Sequence, residues 1–265
     1  MSGYILCQTK KAEHPYFIEN ISTNIYSIEE LCYYLYHNVY LIDQTIMNEE
    51  LCTWISEELE LPKLASKLRA NIGKYVPAED LIYPVFKEIN YLSYEELRAL
   101  HAQLVNLNQE KPAVHRKRKG DSLVENGMYA SAIREYHKIL DEEDLKGEKE
   151  GFRAEVLYNL GCAYSYLFQM EKARECFWSA YEQDKIHAAR SERYLKAYLL
   201  AYRNGRSKKE YEKKLHEVKA DQKLKKELDE EWKTFEKIPE TPADSKKLDE
   251  MMEKFTKDYH RSTGS

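Results

Sequence analysis

The chain is short of the two residues that interrupt secondary structure. It has nine glycines and seven prolines in 265 residues, about 6% together where roughly 12% is usual. Glycine and proline mark loops, turns and strand ends, so a chain this poor in them has few connections and long elements. A collagen-like repeat, a disordered low-complexity chain and a β-sandwich with many turns are excluded, and helices remain. Cysteine is sparse as well: the five, at 7, 32, 52, 162 and 176, are odd in number, widely spaced and free of any C-x-x-C pair. That spacing fits reduced thiols and a cytoplasmic location better than a disulfide framework. No apolar run approaches the 18 or so residues that cross a bilayer. The opening MSGYILCQTKKAEHP lacks the basic-then-apolar order of a signal peptide, so no membrane association is expected.

Chemical motifs are missing too. The eight histidines show no H-E-x-x-H and no metal pairing at i, i+4, and neither a glycine-rich phosphate loop nor G-x-S-x-G occurs. The expectation is a non-catalytic protein with no metal and no cofactor. Charge narrows the partners further. Residues 1–112 hold 9 Lys/Arg against 16 Asp/Glu, and the remainder holds 32 against 30. An acidic front half is a poor match for phosphate backbones, so no nucleic-acid partner is expected. The dense basic run His115-Arg116-Lys117-Arg118-Lys119 lies within a helical pattern and reads as a solvated face.

What the chain does have is tyrosine, 22 residues against ten Phe and Trp combined, and a composition 43% hydrophobic and 33% charged. That balance suits helices that each show one face to water. Tyr4-Ile5-Leu6-Cys7 and Tyr16-Phe17-Ile18 read as short extended segments, a small hairpin or an arm. From Ser27 the signals turn helical. Ser27 with Glu30 and Ser93 with Glu96 form S-x-x-E capping boxes. Asn48 caps a helix carrying Leu51, Trp54, Ile55 and Leu59, an i, i+3, i+4, i+8 stripe. Pro62 opens a helix that runs through Leu64, Leu68 and Ile72 to Gly73, and Pro77 opens the next, with Pro84 inside it. The front of the chain, 1–112, is therefore expected to be a bundle of about five short helices, with Pro112 at its boundary.

Beyond Pro112 a repeat emerges. Residues 154–187 read AEVLYNLGCAYSYLFQMEKARECFWSAYEQDKIH. Small Gly161 and Ala173 allow two antiparallel helices to approach, while Leu160, Tyr164, Phe177 and Tyr181 supply the bulk between them. Leu157, Leu160, Gly161, Tyr164, Ala173, Phe177 and Ala180 stand at the spacing of the tetratricopeptide repeat. This segment resembles that family, with Lys185 where proline is usual. Weaker copies run over 113–146, with Gly120, Leu123, Ala132, Tyr136 and Ile139, and over 188–221, with Leu195, Tyr198, Ser207 and Tyr211. A seven-residue insertion near Asp144–Glu150 separates the first two copies, and Gly127 and Gly205 turn between helices. Such repeats need neighbours or caps on both ends. The long charged segment 207–237 serves as one cap, as a single helix or two, because the step from Val218 to Leu224 breaks its phase. After a Pro239–Pro242 linker, Leu248, Met251, Met252, Phe255 and Tyr259 form one apolar face of a C-terminal helix expected to dock on the repeats. The domain reading is thus 1–112, 113–238 and 239–265, and the fold class is all-α with a helix-pair solenoid.

The resemblance implies a function. In that family the first helix of each repeat lines a concave groove that receives a peptide or helix of a partner protein. Carried onto this chain, the groove residues are Glu155, Tyr158, Asn159, Cys162, Ser165 and Tyr166 in the best repeat, Lys117 and Asp121 before it, and Arg193 and Tyr198 after it. Asn159 suits hydrogen bonds to an extended backbone, and tyrosine offers stacking area with a hydroxyl. Chaperone co-factors of the family grip a C-terminal carboxylate. Lys117, Asn159 and Arg193 match three of the five clamp positions, while Asp121 and Ala189 depart from it, which puts the clamp in doubt. The expectation is a scaffold or adaptor that binds another protein. The alternative is a regulator whose front domain acts on a target while the groove senses a peptide, an arrangement similar to several bacterial peptide receptors.

Overall fold

The computed structural model describes residues 9–43, 45–74, 77–141, 149–204, 206–235 and 245–263. The fold is all-α, with thirteen α-helices and one small hairpin among the described residues. The chain divides into two compact units, 1–126 and 127–265. The segments Tyr4–Cys7, Gly205 and Pro239–Pro242, and Asp144–Glu148 of the expected insertion, lie outside the described residues.

In the first unit, β1 (Tyr16–Ile18) pairs antiparallel with β2 (Thr23–Ile25), Tyr16 opposite Ile25. Ser22 makes the turn with a left-handed φ of 47°. Five helices follow: α1 (Ile28–His37), α2 (Glu49–Glu57), α3 (Pro62–Arg69), α4 (Ala78–Glu88) and α5 (Tyr94–Gln109). Their starts follow local chemistry. Asn48 Oδ1 accepts the Leu51 N–H at 2.8 Å, and Ser93 and Glu96 close a full capping box. The Ser27 box closes differently: Ser27 Oγ accepts the Glu30 N–H at 3.2 Å, but the Glu30 carboxylate accepts from Tyr26, one residue ahead of the cap. Helix α3 stops at Arg69, short of the expected Gly73, which sits in the following turns with φ 73°. Leu31, Leu35, Leu51, Ile55, Leu64 and Val85 are wholly buried and form the core.

A sixth helix, α6 (Pro112–Glu125), also belongs to this unit, beyond the expected boundary at Pro112. It packs on the 3-10 turn Val39–Leu41. The basic run on α6 is not the solvated face expected of it. Lys119 Nζ lies 2.8 Å from Asp43, Arg118 Nε 2.9 Å from Glu110, and Lys117 Nζ 2.9 Å from Asp121. His115 sets its ring edge against Tyr40. Three of its charges, on Lys117, Arg118 and Lys119, are thus paired within this unit.

The second unit contains α7 (Tyr129–Leu140), α8 (Phe152–Tyr166), α9 (Met170–Gln183), α10 (Ala188–Arg203), α11 (Lys208–Glu217), α12 (Gln222–Phe235) and α13 (Ser245–Thr263). From α7 to α10 each helix packs on the next, and α11 and α12 both pack on α10. The α8–α9 pair is close because Gly161 has no side chain: a Cβ there would stand 2.6 Å from the Phe177 ring. Leu160, Ala173, Phe177 and Ala180 are buried around that contact. The weaker repeat copy 113–146 is divided between the units, α6 in the first and α7 in the second. The charged segment after 207 forms two helices, with Lys219 at φ 53° in the break.

Helix α13 lies against α7, yet every described side chain on it is exposed, Met251, Met252 and Phe255 included. Leu248 and Tyr259, the other two residues of the expected apolar face, lie outside the described side chains. A helix whose described side chains are exposed contributes little stability through them. Deleting residues 239–265 is expected to move the melting temperature by less than about 2 °C. A thermal melt of the truncated chain that falls several degrees lower would contradict this.

Candidate peptide-binding face

Helices α8 and α10 present a shared face on which residues far apart in sequence meet. Tyr158 leaves α8 at the level of α10, its ring 5.2 Å from that of Tyr194 and 5.5 Å from that of Phe177. The Arg193 guanidinium lies over Tyr158 at 4.5 Å and over Tyr194 at 5.2 Å. Beneath it, Tyr194 joins Ala154 and Ala180 in a cluster against which Leu157, Tyr158 and Tyr181 pack. The arginine is thus held on two aromatic faces by cation–π attraction, with its exposed N–H groups accessible to a ligand. Arg193 is exposed and Tyr158 half-buried.

Electrostatics set the protonation states. Burial pushes the Tyr158 hydroxyl up to about 12, against the opposing influence of Arg193. Burial also raises the Cys162 thiol beside it, with the Tyr158 hydrogen bond and Arg193 acting the other way. Both groups stay neutral near pH 7. This suits hydrogen bonding and stacking rather than attack by a thiolate or phenolate. Glu155, half-buried one turn earlier on α8, is near enough to Tyr194 and Arg190 to act on both.

The other residues singled out in the sequence are distributed differently. Asn159 is half-buried on α8. Ser165 Oγ donates back to the Gly161 carbonyl of its own helix at 2.9 Å. Tyr166 is 57% exposed and stacks on Tyr129 with ring centroids 4.4 Å apart and planes 2° from parallel. Tyr198 is buried between Trp178 at 5.0 Å and Tyr202 at 5.9 Å, so it serves packing. Lys117 and Asp121 belong to the first unit and pair with each other. Tyr158, Cys162 and Arg193 are thus the members brought together.

Tyr194, which anchors the face, was not among the expected residues. It is wholly buried, and its hydroxyl, which Arg193 is near enough to donate to, has no acceptor. Its signal in the sequence was the i, i+4 pairing with Tyr198, one apolar stripe of α10. Among the described residues no cluster of His, Cys, Asp and Glu could hold a metal ion, and no helix is long and apolar enough to cross a membrane. The chain matches no protein-family model, no curated protein and no solved structure.

Proposed function

We propose that the second unit is a tetratricopeptide-like module that binds an extended segment of a partner protein on the α8–α10 face, and that the protein works as a scaffold or adaptor. The observation that carries this reading is Arg193 laid over Tyr158. An exposed guanidinium, preorganised on one aromatic ring of a neighbouring helix and one of its own, is the kind of anchor around which interface energy concentrates. A peptide carbonyl or carboxylate can accept from its exposed N–H groups, while the Tyr158 ring offers stacking area. The ordered stacking of α7 to α10 supports the repeat-like reading.

The test is a peptide selected from a random display library on the full-length chain, then titrated calorimetrically against variants. Arg193→Ala and Tyr158→Ala are each expected to weaken binding about tenfold. Lys213→Ala, at a side chain 80% exposed on α11, should leave it unchanged. Selected peptides that bind both face variants as well as the unaltered chain would overturn the assignment. The division into two compact units favours a second reading, in which the first unit acts on a target under control of the bound peptide. That reading requires the peptide to change the proteolytic protection of residues 9–126, and unchanged protection would exclude it.

A further inference from the structure

A cleft of about 650 Å³ opens at α10, α11 and α12, away from the residues of the peptide-binding face. Its volume is in the range of small-molecule sites. The charges lining it do not balance: Arg203, Arg206, Lys208 and Lys225 stand against Glu212 and Asp229, an excess of two positive charges. One cation is occupied, since Arg203 Nη1 lies 2.9 Å from Asp229 Oδ1. Its guanidinium rests on the rings of Trp232 at 4.5 Å and Tyr211 at 5.2 Å. Lys208 comes no nearer than 4.0 Å to Glu212. Arg206 and Lys225 form no ion pair among the described residues. Between these charges the walls are apolar, from Tyr211, Leu215 and Trp232.

Tyr211 supplies the second observation. It is 6% exposed, and its buried hydroxyl, which Arg203 is near enough to donate to, has no acceptor. A buried hydroxyl left without an acceptor lowers stability, and it calls for an explanation where it lines a cationic cleft.

We propose that this cleft binds a phosphate monoester carried on a planar aromatic group. A phosphate monoester carries close to two negative charges near neutral pH, which matches the excess of two. Arg206 and Lys225 would hold the phosphoryl oxygens by charge-assisted hydrogen bonds. The Tyr211 hydroxyl gains the acceptor it lacks, and the aromatic body lies against Trp232 and Leu215. Two sources share this chemistry, a free mononucleotide and a phosphorylated tyrosine side chain.

Calorimetric titration of the full-length chain with phenyl phosphate tests the site, with phenol as the uncharged control. Phenyl phosphate is expected to bind with a sub-millimolar dissociation constant and phenol not to bind. Lys225→Ala and Tyr211→Phe should each weaken phenyl phosphate about tenfold. Tyr211→Phe should also melt no lower than the unaltered chain, because it removes a buried hydroxyl that has no acceptor. Adenosine monophosphate and O-phosphotyrosine form the remaining arms, and the tighter of the two names the source. No binding of phenyl phosphate at millimolar concentration would overturn the proposal. So would binding indifferent to both substitutions, or a Tyr211→Phe variant that melts several degrees lower.

Discussion

Gly161→Val is expected to lower the stability of the second unit by about 3 kcal/mol, the upper part of the range for overpacking a filled core. The cause is geometric. A Cβ at Gly161 would meet Phe177 Cε1 at 2.6 Å and Cδ1 at 2.8 Å, and Phe177 is buried, with Ala173 and Ala180 as neighbours on α9. The ring cannot retreat without separating α8 from α9. Gly161→Ala is the sharper comparison. Helix propensity alone would make alanine more stable by about 1 kcal/mol, whereas the contact with Phe177 predicts a net loss of about 1 kcal/mol. Adding Phe177→Leu to Gly161→Ala should cost less than the sum of the two single changes, because trimming the ring removes the clash. Urea denaturation of Gly161→Val, Gly161→Ala, Phe177→Leu and the double variant reads these effects. Two compact units allow more than one transition, so the transition of the second unit is the one to compare. A Gly161→Ala variant more stable than the unaltered chain would show that the helices are not held this close.

The second large effect is expected at the turn between α9 and α10. Asp184 has a side chain only 2% exposed. Its carboxylate accepts from Arg190 Nε at 2.6 Å and Nη2 at 3.1 Å, with His187 Nδ1 2.6 Å away. Gly151, at φ 83°, leaves room for that guanidinium at the start of α8, where a Cβ would stand 2.5 Å from Arg190 Nη2. Asp184 thus ties the end of α9 to the starts of α8 and α10. Asp184→Ala leaves Arg190 without its carboxylate and is expected to cost about 2–3 kcal/mol, somewhat below a fully buried pair because Arg190 is partly exposed. The hydrogen bonds from Arg190, followed by that from His187, hold the Asp184 carboxyl below its ordinary value of 3.8. A depressed folded-state value stabilises the fold above the unfolded value and is lost as pH falls through the folded one. The unaltered chain should therefore lose stability below about pH 4, and Asp184→Asn should lose less over the same interval. Parallel pH dependences for the two chains would remove Asp184 from the account.

Much of this architecture is legible locally. Asn48 and the Ser93–Glu96 box start helices because one side-chain oxygen can satisfy an N–H three residues on, a relation contained in a few residues. The α8–α9 pair is legible for a similar reason, since Gly161 and Phe177 lie in one helical hairpin with a short turn. Features that depend on distant partners were not legible. The basic run of α6 reads as solvated until Asp43 is placed beside Lys119, 76 positions away in sequence. Tyr198 reads as groove-lining until Trp178 covers it. The C-terminal helix has the spacing of a docking face, but spacing cannot say whether a complementary surface exists, and Met251, Met252 and Phe255 remain exposed. Of the candidate site, the α8 residues followed from helical period, whereas the placing of Arg193 over Tyr158 needed the packing of α10.

Hydrogen exchange of the full-length chain, with and without a peptide selected on it, tests the central claim most directly. Bound peptide is expected to slow exchange in residues 155–166 of α8 and 190–198 of α10, with α11 and α12 unchanged, and Arg193→Ala should reduce the difference at a peptide concentration near the dissociation constant of the unaltered chain. Protection confined to the first unit or to α11–α12, or protection undiminished by Arg193→Ala at that same peptide concentration, would contradict it.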